Sequence, residues 1–244
     1  MLTKICNEVN SCPDWKSGNL KCGRDETAIP KTVEVRDTQK ILLITRDPSN
    51  QANKLDDVTS FENSFFREKI LPILFADYKA EKAKEDRKHF ENFREKFLSL
   101  FYWTHYQKCF PGKKEGAHKQ PRIECAKRYL KREIEAFEPE IIICMGGKAV
   151  GYVTSKAAGY VNGEKLPRTI SKNGNNHVTY SGKKIPLIAL THPSDANNGA
   201  KNNPSYRYEE TIKLIQEEVG SFKTDEGRGL LRNKRKKNLS RESD

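Results

Sequence analysis

The chain has 244 residues, enough for one well-buried core and too few for more than two ordinary domains. Its 45 Lys and Arg against 33 Asp and Glu give a formal net charge of +12, a field that attracts polyanions, with nucleic acid the first candidate. No run reaches the ~18 to 20 apolar residues of a membrane span, and the start, MLTKICNEVNSCPDWKSG, has no apolar core of a secretory signal. The expected setting is therefore cytoplasmic, near the nucleoid. There six cysteines point to a metal, a cluster or plain buried thiols and not to disulfides.

In chain order, residues 1–30 carry Pro, Gly and three cysteines without alternation or helical period, so they call for an external staple. TVEVRD reads as a short alternating strand, and Lys40 to Thr45 as a continuous apolar strand buried on both faces. Apolar residues at three and four spacing predict a helix from Val58 to about Ala76, and AEKAKEDRKHFENFREKFLSL predicts a charged one from Ala80 to Leu100. LFYWTHY is an aromatic strand, CAKRYLKREIEAFEPE a helix stopped near Pro139, and EIIICMGGKAVGYV a buried strand, glycine turn and helix. IPLIALTHPS repeats the pattern of a strand followed by a polar loop, and PSYRYEETIKLIQEEVG predicts a last helix ended by Gly220. Beyond Ser221 the basic, apolar-poor tail predicts disorder. The divisions expected are 1–30, a cysteine-bearing segment; 31–220, the folded domain; and 221–244, the tail. Alternation of strand and helix predicts an α/β fold with a parallel sheet covered on both sides.

In such a sheet ligands bind outside the carboxyl ends of the strands, which singles out TRDPSN, THYQKCFPG, MGGK and THPSDANN. WTHYQKCFPG is similar to a Thr-Asn-x-x-Lys-Cys-Arg-Pro segment, Cys125 follows Cys109 by sixteen positions, and THPS matches a His-Pro-Ser motif. With the block CAKRYLKREIEAFEPEIIICMGGKAV, these resemble the uracil-DNA glycosylase superfamily, particularly its iron–sulfur branch, families 4 and 5. The resemblance spans about residues 12 to 215. It implies a three-layer α/β/α sandwich on a four-stranded, mainly parallel sheet.

Two departures stand out. Thr45, Arg46, Asp47, Pro48 and Ser49 replace the branch's Gly-Glu-Ala-Pro-Gly, and the Asp-Pro pair is closer to family 1, which keeps its water-activating aspartate there. His105 stands where the branch has a base-reading Asn.

The resemblance implies a DNA glycosylase that hydrolyses the bond between deoxyribose and a flipped-out uracil or modified base. Asp47 would activate water or stabilise the cationic sugar, and His192 would donate to the departing base. Phe61, with Phe65 next, would stack on the base, and His105 would meet its polar edge. Cys12, Cys22, Cys109 and Cys125 would hold a [4Fe–4S] cluster, with zinc the alternative and Cys6 a substitute for Cys12. Cys144 reads as core. Phosphate contacts are expected from Lys108, Lys113, Lys114, Lys119, Arg122, Gly146, Gly147 and Lys148, with Pro193 and Ser194 against the DNA. A monomer without nucleotide cofactor or lyase activity is expected. The altered motifs leave two alternatives: a glycosylase for a bulky modified pyrimidine in phage DNA, and a non-catalytic DNA binder bearing the cluster.

Overall fold

The computed structural model describes residues 1–18, 22–115, 117–154, 177–180, 183–202 and 207–222. All the candidate site residues lie within them; the basic tail beyond residue 222 lies outside. Four strands, β1 (Ile41–Thr45), β2 (Phe101–His105), β5 (Ile141–Met145) and β7 (Lys183–Leu190), run parallel in the order β2-β1-β5-β7. A fifth, β6 (His177–Tyr180), adds antiparallel to β7, so the sheet has one strand more than expected. A separate two-stranded hairpin pairs β3 (Lys113–Lys114) with β4 (Ala117–His118).

The apolar runs of β1 and β5 follow from burial on both faces. Ile41, Leu43, Ile143 and Met145 pack into one core with Phe66, Phe90, Phe97, Trp103 and Ile215. Leu42, Ile44, Ile142 and Cys144 point the other way, among Leu2, Ala126, Leu130, Ile134 and Ala149. Because side chains alternate across a strand, two separate cores on one sheet make three layers. Helices Leu71–Leu74, Arg87–Leu100 and Tyr208–Ser221 cover one face; Leu2–Asn10, Lys131–Phe137 and Gly147–Val153 cover the other.

Several elements differ from the sequence reading. Residues 2–10 form an amphipathic helix, burying Leu2, Ile5, Cys6 and Val9. TVEVRD forms no strand. The helix predicted from Val58 starts later, with a π-helical turn Phe66–Ile70 running into Leu71–Leu74. The charged helix is two, Ala80–Glu85 and Arg87–Leu100, divided at Asp86, whose carboxylate accepts from the His89 N–H at 3.1 Å and caps the second.

Register fixes where the chemistry sits. Thr45 is level with His105 across β1 and β2, and Met145 with Leu190 across β5 and β7. The loops after all four parallel strands therefore open on one rim.

Candidate active site

Asp47 follows β1 by two residues. Its side chain is 1% exposed, one oxygen taken by Arg46 Nε and the other 2.9 Å from His118 Nδ1. Ser49, two residues on, caps a short helix Asn50–Asn53 by accepting from the Ala52 N–H, which fixes the loop's exit.

His192, from the loop after β7, lies against Phe65, the rings 5.4 Å apart and 13° from parallel. Gly146 supports it from β5: its φ of +99° suits glycine alone, and a Cβ there would lie 3.4 Å from the His192 Cβ. The Ser194 N–H donates to His192 Nδ1 at 3.3 Å, so in the neutral ring the proton sits on Nε2. Loss of water lowers its pKa to about 4, Arg46 and His118 adding to the depression and Asp47 opposing it. His192 is thus a neutral Nε2–H donor at pH 7.

His105, at the end of β2, is 2% exposed, and among the described residues its Nδ1 has no hydrogen-bond partner. Burial lowers its pKa to about 3, with Lys108 and His192 contributing and Asp47 opposing. Asp47, His105 and His192 therefore lie within electrostatic reach of one another, joined by Arg46 and His118.

His118 and Arg46 were not singled out in the sequence. Arg46 carried only its place beside Asp47; His118 was one imidazole in a lysine-rich loop with no period. The hairpin explains His118: it sits opposite Lys113 in register, edge-on to Phe110 at 5.0 Å. The hairpin base is closed by the Lys119 N–H donating to the Gly112 carbonyl at 3.0 Å.

The structure corrects several assignments. Lys108 is 1% exposed; its ammonium is paired with Glu133 and donates to Thr104 Oγ1 and, at 2.8 Å, to the His105 carbonyl. Buried in that ion pair, it cannot reach a phosphate. Glu133, fully buried, also accepts from Tyr102 Oη at 2.8 Å. Phe61 packs edge-on against Phe90 at 5.3 Å with the Arg67 and Arg87 guanidinium groups over it, so Phe65 and not Phe61 is the ring beside His192. The Gly146 N–H is spent on the Leu190 carbonyl at 2.8 Å, leaving no donor there for phosphate. Pro193 is buried, its carbonyl accepting from Lys201 Nζ at 3.0 Å, and Ser194 Oγ accepts from the Asn197 amide. Arg122 lies over Gly23. Lys113, Lys114, Lys119, Gly147 and Lys148 are exposed.

Cys12, Cys22, Cys109 and Cys125 line one cavity with Val9, Trp15 and Tyr129. The Lys108 N–H donates to Cys125 Sγ at 3.3 Å, and the Arg128 guanidinium lies 3.7 Å from Cys12 Sγ. Among the described residues no three His, Cys, Asp or Glu side chains converge tightly enough for a single metal ion. Cys6 turns away, 3.4 Å from Tyr102 Oη, and Cys144 is fully buried core. The thiol cavity anchors the hairpin's loop. Around it the Asp25 N–H donates to the Phe110 carbonyl and the Lys31 N–H to the Lys108 carbonyl, tying the N-terminal segment across both. No helix among the described residues is long and apolar enough to cross a membrane. The sequence profile of the Uracil DNA glycosylase superfamily matches residues 33–216, and no curated protein matches the chain.

Proposed function

The chain belongs to the Uracil DNA glycosylase superfamily, whose members are DNA glycosylases, and from that premise we propose that it hydrolyses the glycosidic bond of one extruded nucleoside held between Asp47 and His192. The observation that carries this reading is the shared rim. A carboxylate after β1 and a neutral N–H donor after β7 act electrostatically on one another across the ends of the strands.

Bond cleavage leaves positive charge on the sugar and negative charge on the base. Asp47 supplies the opposing charge on the sugar side. His192 Nε2–H donates to the base carbonyl as charge collects there, and being neutral it does so without first losing a proton. Phe65 offers the ring against which the base stacks, and His105 meets its edge through a single buried nitrogen where an amide would offer both a donor and an acceptor. Lys113, Lys114, Lys119, Lys148 and the exposed Gly147 turn line the DNA side and engage phosphates. The enzyme leaves an abasic site without cutting the strand.

The thiol cavity fits a [4Fe–4S] cluster held by Cys12, Cys22, Cys109 and Cys125. Zinc demands four sulfurs each about 2.3 Å from one centre, and among the described residues no three such side chains converge tightly enough for one ion, whereas thiols that accept N–H groups, as Cys125 and Cys12 do, suit a cluster. When bound the group acts as a staple; it takes no part in the proton and electron transfers at the sugar. Iron and sulfide analysis with a visible absorption spectrum tests this, and Cys125→Ala abolishing the absorption is the expected result.

The activity is tested by base release from oligonucleotides bearing uracil, hypoxanthine, 5-hydroxymethylcytosine or its glucosylated form, read as alkali-labile sites. Release from any of them supports a glycosylase. Binding without release from all four returns the chain to the class of cluster-bearing DNA binders. The orphan His105 Nδ1 favours a second reading for the substrate, a modified pyrimidine in preference to uracil, because the edge contact differs from the branch's Asn.

A further inference from the structure

We infer that His118 is the group that takes the proton from the attacking water, and that Asp47 acts on it as a positioning residue. The inference rests on the glycosylase reading above and assigns a role within the same site.

Three observations carry it. Asp47 is enclosed, its side chain 1% exposed and its two oxygens already engaged, one by Arg46 and one by His118. A carboxylate so paired is poorly placed to face a water itself. The imidazole beside it is 27% exposed. His118 Nδ1 points to Asp47 at 2.9 Å, and among the described residues no hydrogen-bond partner meets its Nε2. A carboxylate on Nδ1 fixes the proton there and leaves the Nε2 lone pair outward, the arrangement by which an acid orients a histidine base. Finally, the ring is held from a second side by Phe110, edge-on at 5.0 Å, and its strand is held in a hairpin between Cys109 and Cys125. Such support is what a base needs to meet a water at hydrogen-bond distance.

The step balances as follows. The C1′–N bond breaks and its electron pair leaves with the base, where His192 Nε2–H meets the carbonyl oxygen. A lone pair of the water oxygen forms the new C1′–O bond, and the water's proton passes to His118 Nε2. The resulting imidazolium keeps its Nδ1–H on Asp47, which stabilises the new charge. Solvent then takes the proton from His118 Nε2 and supplies one to the base anion. One water is consumed, and a free base and an abasic sugar result.

The charged and titratable groups around His118 are Asp47, which also holds Arg46 on its other oxygen, His192 from the loop after β7, and Lys113 opposite it in the hairpin.

The test uses the full-length protein and its best substrate from the four oligonucleotides. His118→Asn retains an amide N–H for Asp47 but has no nitrogen able to accept a proton. The proposal expects its single-turnover rate to fall about 10²-fold or more, with affinity for substrate DNA unchanged and the acidic limb of the pH–rate profile lost. In His118→Ala, added imidazole should restore part of the rate. A fall of less than about threefold in His118→Asn, or a loss confined to DNA affinity and its salt dependence, overturns the role. So does a denaturation-resistant protein–DNA adduct that disappears with His118, since the imidazole would then be a nucleophile. If the unaltered protein releases no base from any substrate, the glycosylase reading itself fails and the assignment falls with it. A folded His118→Asn that keeps the wild-type rate sinks the assignment alone.

Discussion

The two halves of the site are built on different principles. His105 ends β2 and His192 follows β7, and their places are set by strand register and by backbone contacts such as Gly146 against His192. His118 rides on a two-residue strand of a hairpin outside the sheet, placed by side chains: Phe110, Asp47, and the cavity lined by the cysteines on either side of it. A sheet rim holds its residues wherever the sheet folds. A hairpin of this size is not stable alone, so its residues are only as well placed as their tertiary anchors. The site thus joins a rigid donor side to an acceptor side whose order is conditional.

Asp47 joins the two halves, and its loss should have the largest effect. Asp47→Asn is expected to lower single-turnover base release by about 10²- to 10⁴-fold, while substrate DNA is still bound in a gel-shift assay. Retention of the rate would show the hairpin and rim to be uncoupled.

Next in size is Glu133→Gln. It strands the buried Lys108 ammonium, and breaking a buried pair costs about 3–5 kcal/mol, read as a lower Tm by circular dichroism. Because Lys108 also donates to the His105 carbonyl, the hairpin base and the end of β2 should loosen together. Limited proteolysis within residues 109–125 should accelerate.

The rim side can be sharpened by acid. His192 titrates near pH 4 and His105 near pH 3 when folded, both below the ordinary histidine value of about 6.5. The unfolded chain therefore binds protons first as pH falls, so stability from these two rings is complete above about pH 6.5 and lost progressively towards pH 4 and below. Tm measured across that window should fall, and His192→Gln should flatten the slope. The smallest effect expected is on the exposed face of the hairpin: Lys113→Ala and Lys114→Ala should each reduce the slope of log affinity against log salt by about 1, uniformly across sequences.

The strands and the rim were legible because burial on both faces leaves an unmistakable mark, as in ILLIT and IIIC, and because the polar loops after them carry Asp47 and His192. The hairpin left no such mark. His118 shows its role only once Asp47, 71 positions earlier, is brought to it. Lys108 reads as one more surface cation until folding sets it beside Glu133, 25 positions on. Phe61 and Phe65 lie four apart, and which of them meets His192 depends on the direction in which the helix is docked, which periodicity does not give. The N-terminal helix was legible in principle: Leu2, Ile5, Cys6 and Val9 keep helical spacing, masked by the Pro and Gly that follow.

The Lys108–Glu133 pair has one further consequence. Lys108 immediately precedes one cavity cysteine and Glu133 stands eight residues beyond the other, so the ion pair cinches the neck of the whole excursion from within the protein. The pair is made by protein side chains alone, so a chain with nothing in the cavity keeps that neck drawn shut, and the entropy of bringing its two ends together is already met by the fold.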